Sequence, residues 1–416
     1  MAERELDVVV FGATSVTGRR VCAYLAERAE QAGARWAAAA RDAGKAHSVL
    51  EECGVSAPET IVADVTDEAS LAALASRTRV VCNLVGPYTH HGRPVIEACV
   101  AGGAHYVDLT GEIPFVRRMI DEFDSGAVAA GVKVVQVSGF EVLPVDLAVL
   151  LAAGAARERH GEALEEADLE VEVRGLPWPP RPSDVLSSGT LQSMAAVAAG
   201  DDEFDFKDPA CLITDPAAAA EVRRMSPISV MPRRGRRGSV LAPMQPAAYI
   251  NPAVIHRSTA LREDPPLRYR EGVRMPGSDA ALPLRWVAAG AIAGGQAAIG
   301  GVAAAPPTLR RRLSDGLASV FPSSGFGPAP DRLEGWSWGM SVTGRGASGG
   351  EVEVEVDGQG HPGYLATARM LGEAGLLLAE PGATPNRTGC LTPAAALGVE
   401  QIARFDHARL HFTVLA

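Results

Sequence analysis

The stretch that decides the fold is LDVVVFGATSVTGRR, residues Leu6 to Arg20. Its first six residues, Leu6–Phe11, are apolar and largely β-branched, which predicts a short buried strand. Gly12 and Gly18 then bracket a loop of small residues. Apolar positions at helical spacing (Val16, Val21, Tyr24, Leu25) predict a helix over Val16–Gln31. Glycine at the strand end permits a tight turn, and glycine at the helix start lets helix and strand pack closely. Between them, backbone N–H groups face outward at a helix N-terminus, where a pyrophosphate binds. The middle glycine common to such loops is replaced by Ser15, whose side chain must turn aside or donate to a phosphate. A plain strand-to-helix turn is the competing reading.

Outward from this loop the same alternation continues. Strands are predicted at Trp36–Ala40, Thr60–Ala63, Val80–Val85, Tyr106–Leu109 and Val132–Val137. Helices are predicted after DVTDEASLAAL, over Pro94–Ala101 and over Phe115–Ala130. Six strands alternating with helices specify an α/β fold with a doubly wound parallel sheet, the Rossmann arrangement. At 416 residues the chain exceeds one ordinary core. Residues 1–145 are assigned to the Rossmann domain, 146–380 to a second mixed α+β domain, and 381–416 to a segment returning to the first. Within the second domain, WSWGMSVTG and EVEVEVDG alternate as two antiparallel strands. A helix is expected at Thr190–Ala199, and another over Gly363–Glu380, packed under that second sheet.

The net charge of −11 argues against nucleic acid as partner, and the six cysteines show no metal or redox spacing. No cleavable apolar segment follows the acidic lead, so a cytoplasmic setting is expected. One stretch stands apart: Trp286–Ala305 carries no charge and consists mostly of Ala and Gly. Its length approaches a membrane span, yet a shallow membrane-surface contact or a packed domain segment suits its composition better. A homo-oligomer is expected.

The end of the second strand reads the cofactor. NADP favours a basic residue there for its 2′-phosphate, and NAD an acid for the ribose. Arg41 and Lys45 point to NADP(H), while Asp42 keeps NAD open. Cofactor contacts are assigned to Gly12, Thr14, Ser15, Val16, Thr17 and Gly18, to Arg41, Lys45 and Asp64, and to Gly86 and Pro87 after the fourth strand. Tyr88 follows, either as a proton donor to an enolate-like intermediate or as a stacking wall. Asp108, Thr110 and Glu112 follow the fifth strand and either bind substrate or serve as loop and cap residues. His90 and His91 read as loop residues, and no metal-ligand pattern is present.

VVVFGATSVTGRRVCAYLA, VVCNLVGPYTHHGRPVIEACVAGGAHYVDLTGE, VSGFEVLPVDLAV, SSGTLQSM and CLTPAAALG occur in this order. Together they resemble the saccharopine dehydrogenase-like oxidoreductases, within them the branch of the trans-acting enoyl reductases. The resemblance implies an NADP-binding Rossmann domain, an inserted second domain and a C-terminal return. It places Glu141 at a position where the family carries an acid near the substrate. The chain departs from the pattern at Ser15 and Val16 in the loop, and at Val142 and Val145, where serines are usual beside the presumed nicotinamide pocket.

Three functions remain open on this basis. The first is an NADP(H)-dependent oxidoreductase reducing an activated C=C bond, such as an enoyl thioester on CoA or a carrier protein. The second is a saccharopine- or opine-type imine reductase using the Arg233–Arg237 cluster to hold carboxylates. The third is a cofactor-retaining, catalytically decayed lipid- or partner-binding protein.

Overall fold

Val8, Val9 and Val10 are fully buried because the first strand, β1 (Leu6–Phe11), lies inside a sheet covered on both faces. The computed structural model describes residues 4–177, 207–244, 247–303 and 328–415, with positions 179, 181, 184, 192, 193 and 205 between them. Around β1 run β2 (Trp36–Ala40), β3 (Thr60–Val62), β4 (Thr78–Asn83), β5 (His105–Asp108) and β6 (Lys133–Val135). The neighbour order is β6-β5-β4-β1-β2-β3, every pair parallel. The crossover helices are α1 (Gly18–Arg28), α2 (Ala43–Glu52), α3 (Glu68–Arg77), α4 (Tyr88–Gly102) and α5 (Ile113–Ala130). The order reverses between β1 and β4, and ligands of doubly wound sheets bind at the strand ends of such a switch point.

The helix expected from Pro94 begins six residues earlier, at Tyr88. Glu112 explains the extension: its two oxygens accept the N–H groups of Tyr88 at 2.9 Å and Thr89 at 2.7 Å. A carboxylate 23 or 24 residues away thus caps the helix, a contact that no local pattern reports.

Beyond β6 the chain forms α6 (Leu143–His160), a helix that the sequence reading passed over. Its hydrophobic pattern is nearly all-round because eleven of its eighteen residues are buried, so it has no apolar stripe to detect. It covers one face of a second, mixed sheet. That sheet comprises β7 (Leu164–Arg174), β8 (Arg233–Arg234), β9 (Val240–Ala242), β10 (Arg268–Arg274), β11 (Ser337–Gly346) and β12 (Glu351–Gln359). Strands β11 and β12 pair antiparallel, as their alternation predicts. Ala167, Leu169, Val171, Trp338, Met340 and Val342 belong to the core cluster on the α6 side. The other side carries Arg–acid pairs such as Arg274–Glu170 and Arg270–Asp168. The edge of Phe140 meets the ring of Trp338, centroids 4.7 Å apart, and joins the two sheets' cores.

Between these strands lie α7 (Pro216–Met225), α8 (Asn251–Leu261) and α9 (Leu282–Ala303). Helix α9 holds most of the uncharged stretch, whose last two residues, 304 and 305, fall outside the described ones. It rests Ala289 against Val240 and Ala242 of β9, while Leu284 and Val287 are 72% and 71% exposed. Among the described residues no helix is long and apolar enough to cross a membrane. The helix expected at Thr190–Ala199 lies outside the described residues except for 192 and 193, which are helical.

Helix α10 (Thr367–Ala379) corrects one expectation. It packs on β1, β4, β5 and α1 of the parallel sheet, not under the antiparallel one. Small residues decide this: the helix approaches so closely that a methyl on Gly375 would lie 2.7 Å from the Cys82 sulfur. The buried carboxylate of Glu373 anchors it, accepting Arg404 Nε at 2.8 Å and meeting Arg28 Nε at 3.3 Å. The last segment also divides. Strand β13 (Gly389–Leu391) extends the parallel sheet beside β6, and α11 (Pro393–Leu397) follows it. Strand β14 (Leu410–Val414) instead pairs with β12 of the second sheet, so residues 381–416 do not all return to the first.

Candidate active site

The loop after β1 closes on itself through Ser15. Its backbone N–H reaches the Gly12 carbonyl at 3.0 Å, and its hydroxyl accepts the N–H of Gly18 at 2.9 Å. The serine that replaces a glycine therefore turns toward the helix and caps its first residue. Gly12 has φ +91°, and a methyl there would stand 2.9 Å from the Leu84 carbonyl carbon. A methyl on Gly18 would overlap the Gly12 carbonyl oxygen. Both glycines are required by the backbone itself.

The loop leaves three donors pointing outward. The N–H groups of Thr14, Val16 and Thr17 meet no acceptor among the described residues. They sit at the positive end of α1, whose first turn holds no acid but does hold Arg19 and Arg20. Three free donors, a helix N-terminus and two arginines fit a pyrophosphate. At the end of β2, Arg41 is exposed and makes no hydrogen bond or ion pair among the described residues. Asp42 is otherwise engaged: it caps α2 by accepting the Lys45 N–H at 2.9 Å. Lys45 is exposed one turn on. Asp64 turns into its own loop, accepting the Thr66 N–H at 2.9 Å and its hydroxyl at 2.8 Å. Those bonds hold its carboxyl below the usual range.

At the ends of β4 and β5 the predicted substrate residues form one buried network. The Tyr88 hydroxyl donates to the Asn83 carbonyl at 3.1 Å and accepts the Leu109 N–H at 3.4 Å. The Tyr106 hydroxyl accepts Asn83 Nδ2 at 3.0 Å and donates to Asp108 at 2.8 Å. Asp108 further accepts the N–H groups of Thr110 at 3.0 Å and Val137 at 3.1 Å. Burial outweighs these bonds and pushes its carboxyl up to about 7. Burial likewise drives the Tyr88 phenol well above 10. The proton of Tyr88 is thus given to a backbone carbonyl, and the side chain stands in this structure as a strut between β4 and β5. Gly86 and Pro87 precede it through a cis peptide, with Gly86 exposed at the rim.

Thr110 Oγ1 accepts the Glu112 N–H at 3.1 Å, which presents Glu112 to α4. Ser193 donates its hydroxyl to Glu112 at 2.7 Å, so one residue of the second domain touches the first domain's site. Sequence reasoning had no signal for that pairing. The departures at Val142 and Val145 are buried in the structure. Both side chains are 1% exposed or less and belong to the hydrophobic cores.

A residue that local patterns could not reveal is Val137, with φ +62°. A β-branched residue in the left-handed region costs on the order of 1–3 kcal/mol, and such strain gathers at functional sites. Asp108 holds it there: its side chain accepts the Val137 N–H and its carbonyl accepts the Ser138 N–H at 2.9 Å. The kink sends Gly139, Phe140 and Glu141 across the strand ends. Phe140 N–H then bonds Thr367 Oγ1 at 3.1 Å. Glu141 is half-buried, and burial raises its carboxyl above the usual range.

The Arg233–Arg237 cluster lies elsewhere, on the charged face of the second sheet. Arg233 binds Asp168, and Arg236 binds Glu351 and Glu353 at 3.0 and 3.3 Å. Two of the arginines proposed to anchor a dicarboxylic substrate are therefore neutralised by the sheet itself.

This combination of parallel sheet, anion-binding loop and buried strand-end network defines a dinucleotide-dependent oxidoreductase. Residues 8–135 match the family model of the saccharopine dehydrogenase NADP binding domain. The chain is 34% identical over 412 residues to a Mycobacterium tuberculosis protein provisionally named a trans-acting enoyl reductase, covering 95% of this chain and 94% of that one. It is 31% identical over 417 residues to the trans-acting enoyl reductase of Mycobacterium ulcerans, covering 97% and 96%. In fold it is similar to the apo saccharopine dehydrogenase of Saccharomyces cerevisiae, with a TM-score of 0.50 and 16% identity over 99% of this chain and 100% of that one. The chain belongs to the saccharopine dehydrogenase-like oxidoreductases, among the trans-acting enoyl reductases, and is an NADP-dependent oxidoreductase.

Proposed function

We propose that the protein reduces an activated C=C bond of an acyl thioester, carried on CoA or on a carrier protein. The observation that carries this reading is the open loop of Thr14, Val16 and Thr17 donors, beside an Arg41 that makes no ion pair among the described residues, at the switch point of the sheet. NADPH, when bound, supplies the hydride. The chain's own residues do the rest. The loop N–H groups with Arg19 and Arg20 neutralise the pyrophosphate, and Arg41 with Lys45 takes the 2′-phosphate. Gly86 leaves room at the rim, while Tyr88, Asp108 and Glu112 hold the β4 and β5 ends rigid around the reacting carbon atoms.

The names borne by the mycobacterial relatives support the enoyl class. An imine reductase acting on an amino acid and keto acid adduct needs carboxylate-binding arginines, and the Arg233 and Arg236 ion pairs weigh against that use of the cluster. The Ser15 cap, which leaves the loop donors open, weighs against reading the site as decayed.

The deciding experiment follows NADPH oxidation with 2-enoyl thioesters of pantetheine and CoA over a series of chain lengths. Saturable turnover is expected for at least one. Tight NADPH binding without turnover of any enoyl thioester, together with turnover of a keto acid plus amine, would overturn the proposal.

A further inference from the structure

We infer that Glu141 is the proton donor of the reduction, delivering its carboxyl proton to the α-carbon of the thioester. The inference rests on the enoyl-reduction reading and deepens it. At the ends of β4 and β5 the three acidic or phenolic candidates Tyr88, Asp108 and Glu112 are already committed. Tyr88 gives its proton to the Asn83 carbonyl. Asp108 is sealed among Tyr106, Thr110 and Val137. Glu112 caps α4 with both oxygens and accepts from Ser193 as well.

Glu141 differs from all of these. No other residue among the described ones forms a hydrogen bond or an ion pair with its carboxylate. It is half-buried and so retains a way to solvent. Its placement is enforced. The left-handed Val137, clamped by Asp108, swings the chain over the strand ends, and the Thr367 hydroxyl then fixes Phe140. Glu141 Oε2, Thr367 Cγ2 and Leu109 Cδ2 converge on Gly139, at 3.5, 3.8 and 3.9 Å from where a methyl would stand. These neighbours carry no charge, and only the residue's own backbone N–H favours its ionised form, a smaller effect than burial. Burial raises its proton affinity, as a general acid working near neutral pH requires.

The chemistry balances as follows. The reduced nicotinamide supplies two electrons and one hydrogen to the β-carbon. The C=C π pair becomes an enolate, and its α-carbon takes the proton from Glu141. One C–H bond forms at each carbon, the Glu141 O–H breaks, and the carboxylate regains a proton from solvent.

The test compares wild type with Glu141→Gln and Glu141→Asp in the full chain. Infrared titration of the cofactor-free protein should show a carboxyl band, absent from E141Q, that loses its proton at a higher pH than an exposed glutamate does. NADPH affinity, followed by nicotinamide fluorescence, should stay within about twofold. Turnover of the enoyl thioester should fall about 10²–10⁴-fold in E141Q. The falling alkaline limb of the wild-type pH profile should vanish, and E141D should recover part of the rate. E141Q turning over at the wild-type rate with an unchanged profile would overturn Glu141 while leaving enoyl reduction standing. A carboxyl that titrates no higher than an exposed glutamate would also exclude it as the acid. Absence of wild-type turnover despite NADPH binding would overturn both.

Discussion

The hydroxyl of Ser15 accepts the backbone N–H of Gly18 at 2.9 Å. A serine in place of the loop's middle glycine therefore works as a cap and leaves the Thr14, Val16 and Thr17 donors free. Replacing it with alanine removes one cap bond and should lower stability by about 0.5–1.5 kcal/mol in urea titration. NADPH binding should survive. Gly18→Ala should be far worse, because the added methyl overlaps the Gly12 carbonyl. An overpacking cost of about 1–3 kcal/mol and loss of NADPH binding are expected.

Arg41 is exposed and unpaired while Asp42 is bound to α2. Arg41→Asp should lower NADPH affinity about tenfold to a hundredfold, the loss of a charge-assisted pair. NADH affinity should hold or improve. Parallel fluorescence titrations measure both, and equal losses for the two cofactors would contradict a 2′-phosphate contact.

Glu112 caps α4 from across the site. In Glu112→Gln the amide nitrogen cannot accept one of the two N–H bonds and leaves that donor unmet. A loss of about 1–3 kcal/mol is expected. Hydrogen exchange should accelerate at the amides of Tyr88 and Thr89 before it does elsewhere in α4.

Burial raises Asp108 to about 7 in the folded chain, against about 4 when unfolded. Between those values the folded state binds the extra proton, so stability falls as pH rises through the window and levels off above it. His105 and His256, each lowered by burial to about 4, act the other way, since the unfolded chain binds more protons there. The comparison of wild type with Asp108→Asn cancels them. Wild-type stability should decline relative to the variant by a few kcal/mol on the order of magnitude from about pH 4 to about pH 7. A parallel pair of curves would show that Asp108 is ionised throughout.

The first three strands were legible nearly to the residue because Leu6–Phe11 and Trp36–Ala40 are mostly buried apolar runs and Thr60–Val62 is a short β-branched one. Their periodicity is local, and a parallel sheet between helix layers asks nothing else of them. The glycine loop was legible for the same reason: its demands on φ and on close approach fall on single residues. Helix α6 and the start of α4 were not. The first has no polar face to mark it, and the second is capped by a carboxylate supplied from another strand end.

The sequence by itself determined the fold of the first 135 residues, the anion-binding loop and the basic residue that follows β2, all of which depend on residue type and short spacing. Only the tertiary structure decided what each candidate side chain does. In the sequence Tyr88 reads as a proton donor or a wall, Asp108 and Glu112 as substrate or cap residues, and Glu141 enters only through the family resemblance. Packing spent the first three on backbone N–H and carbonyl groups that burial had cut off from water, where an unmet bond costs about 1–3 kcal/mol. It left Glu141 unspent, because the strained turn at Val137 carries it past those backbone groups to the rim.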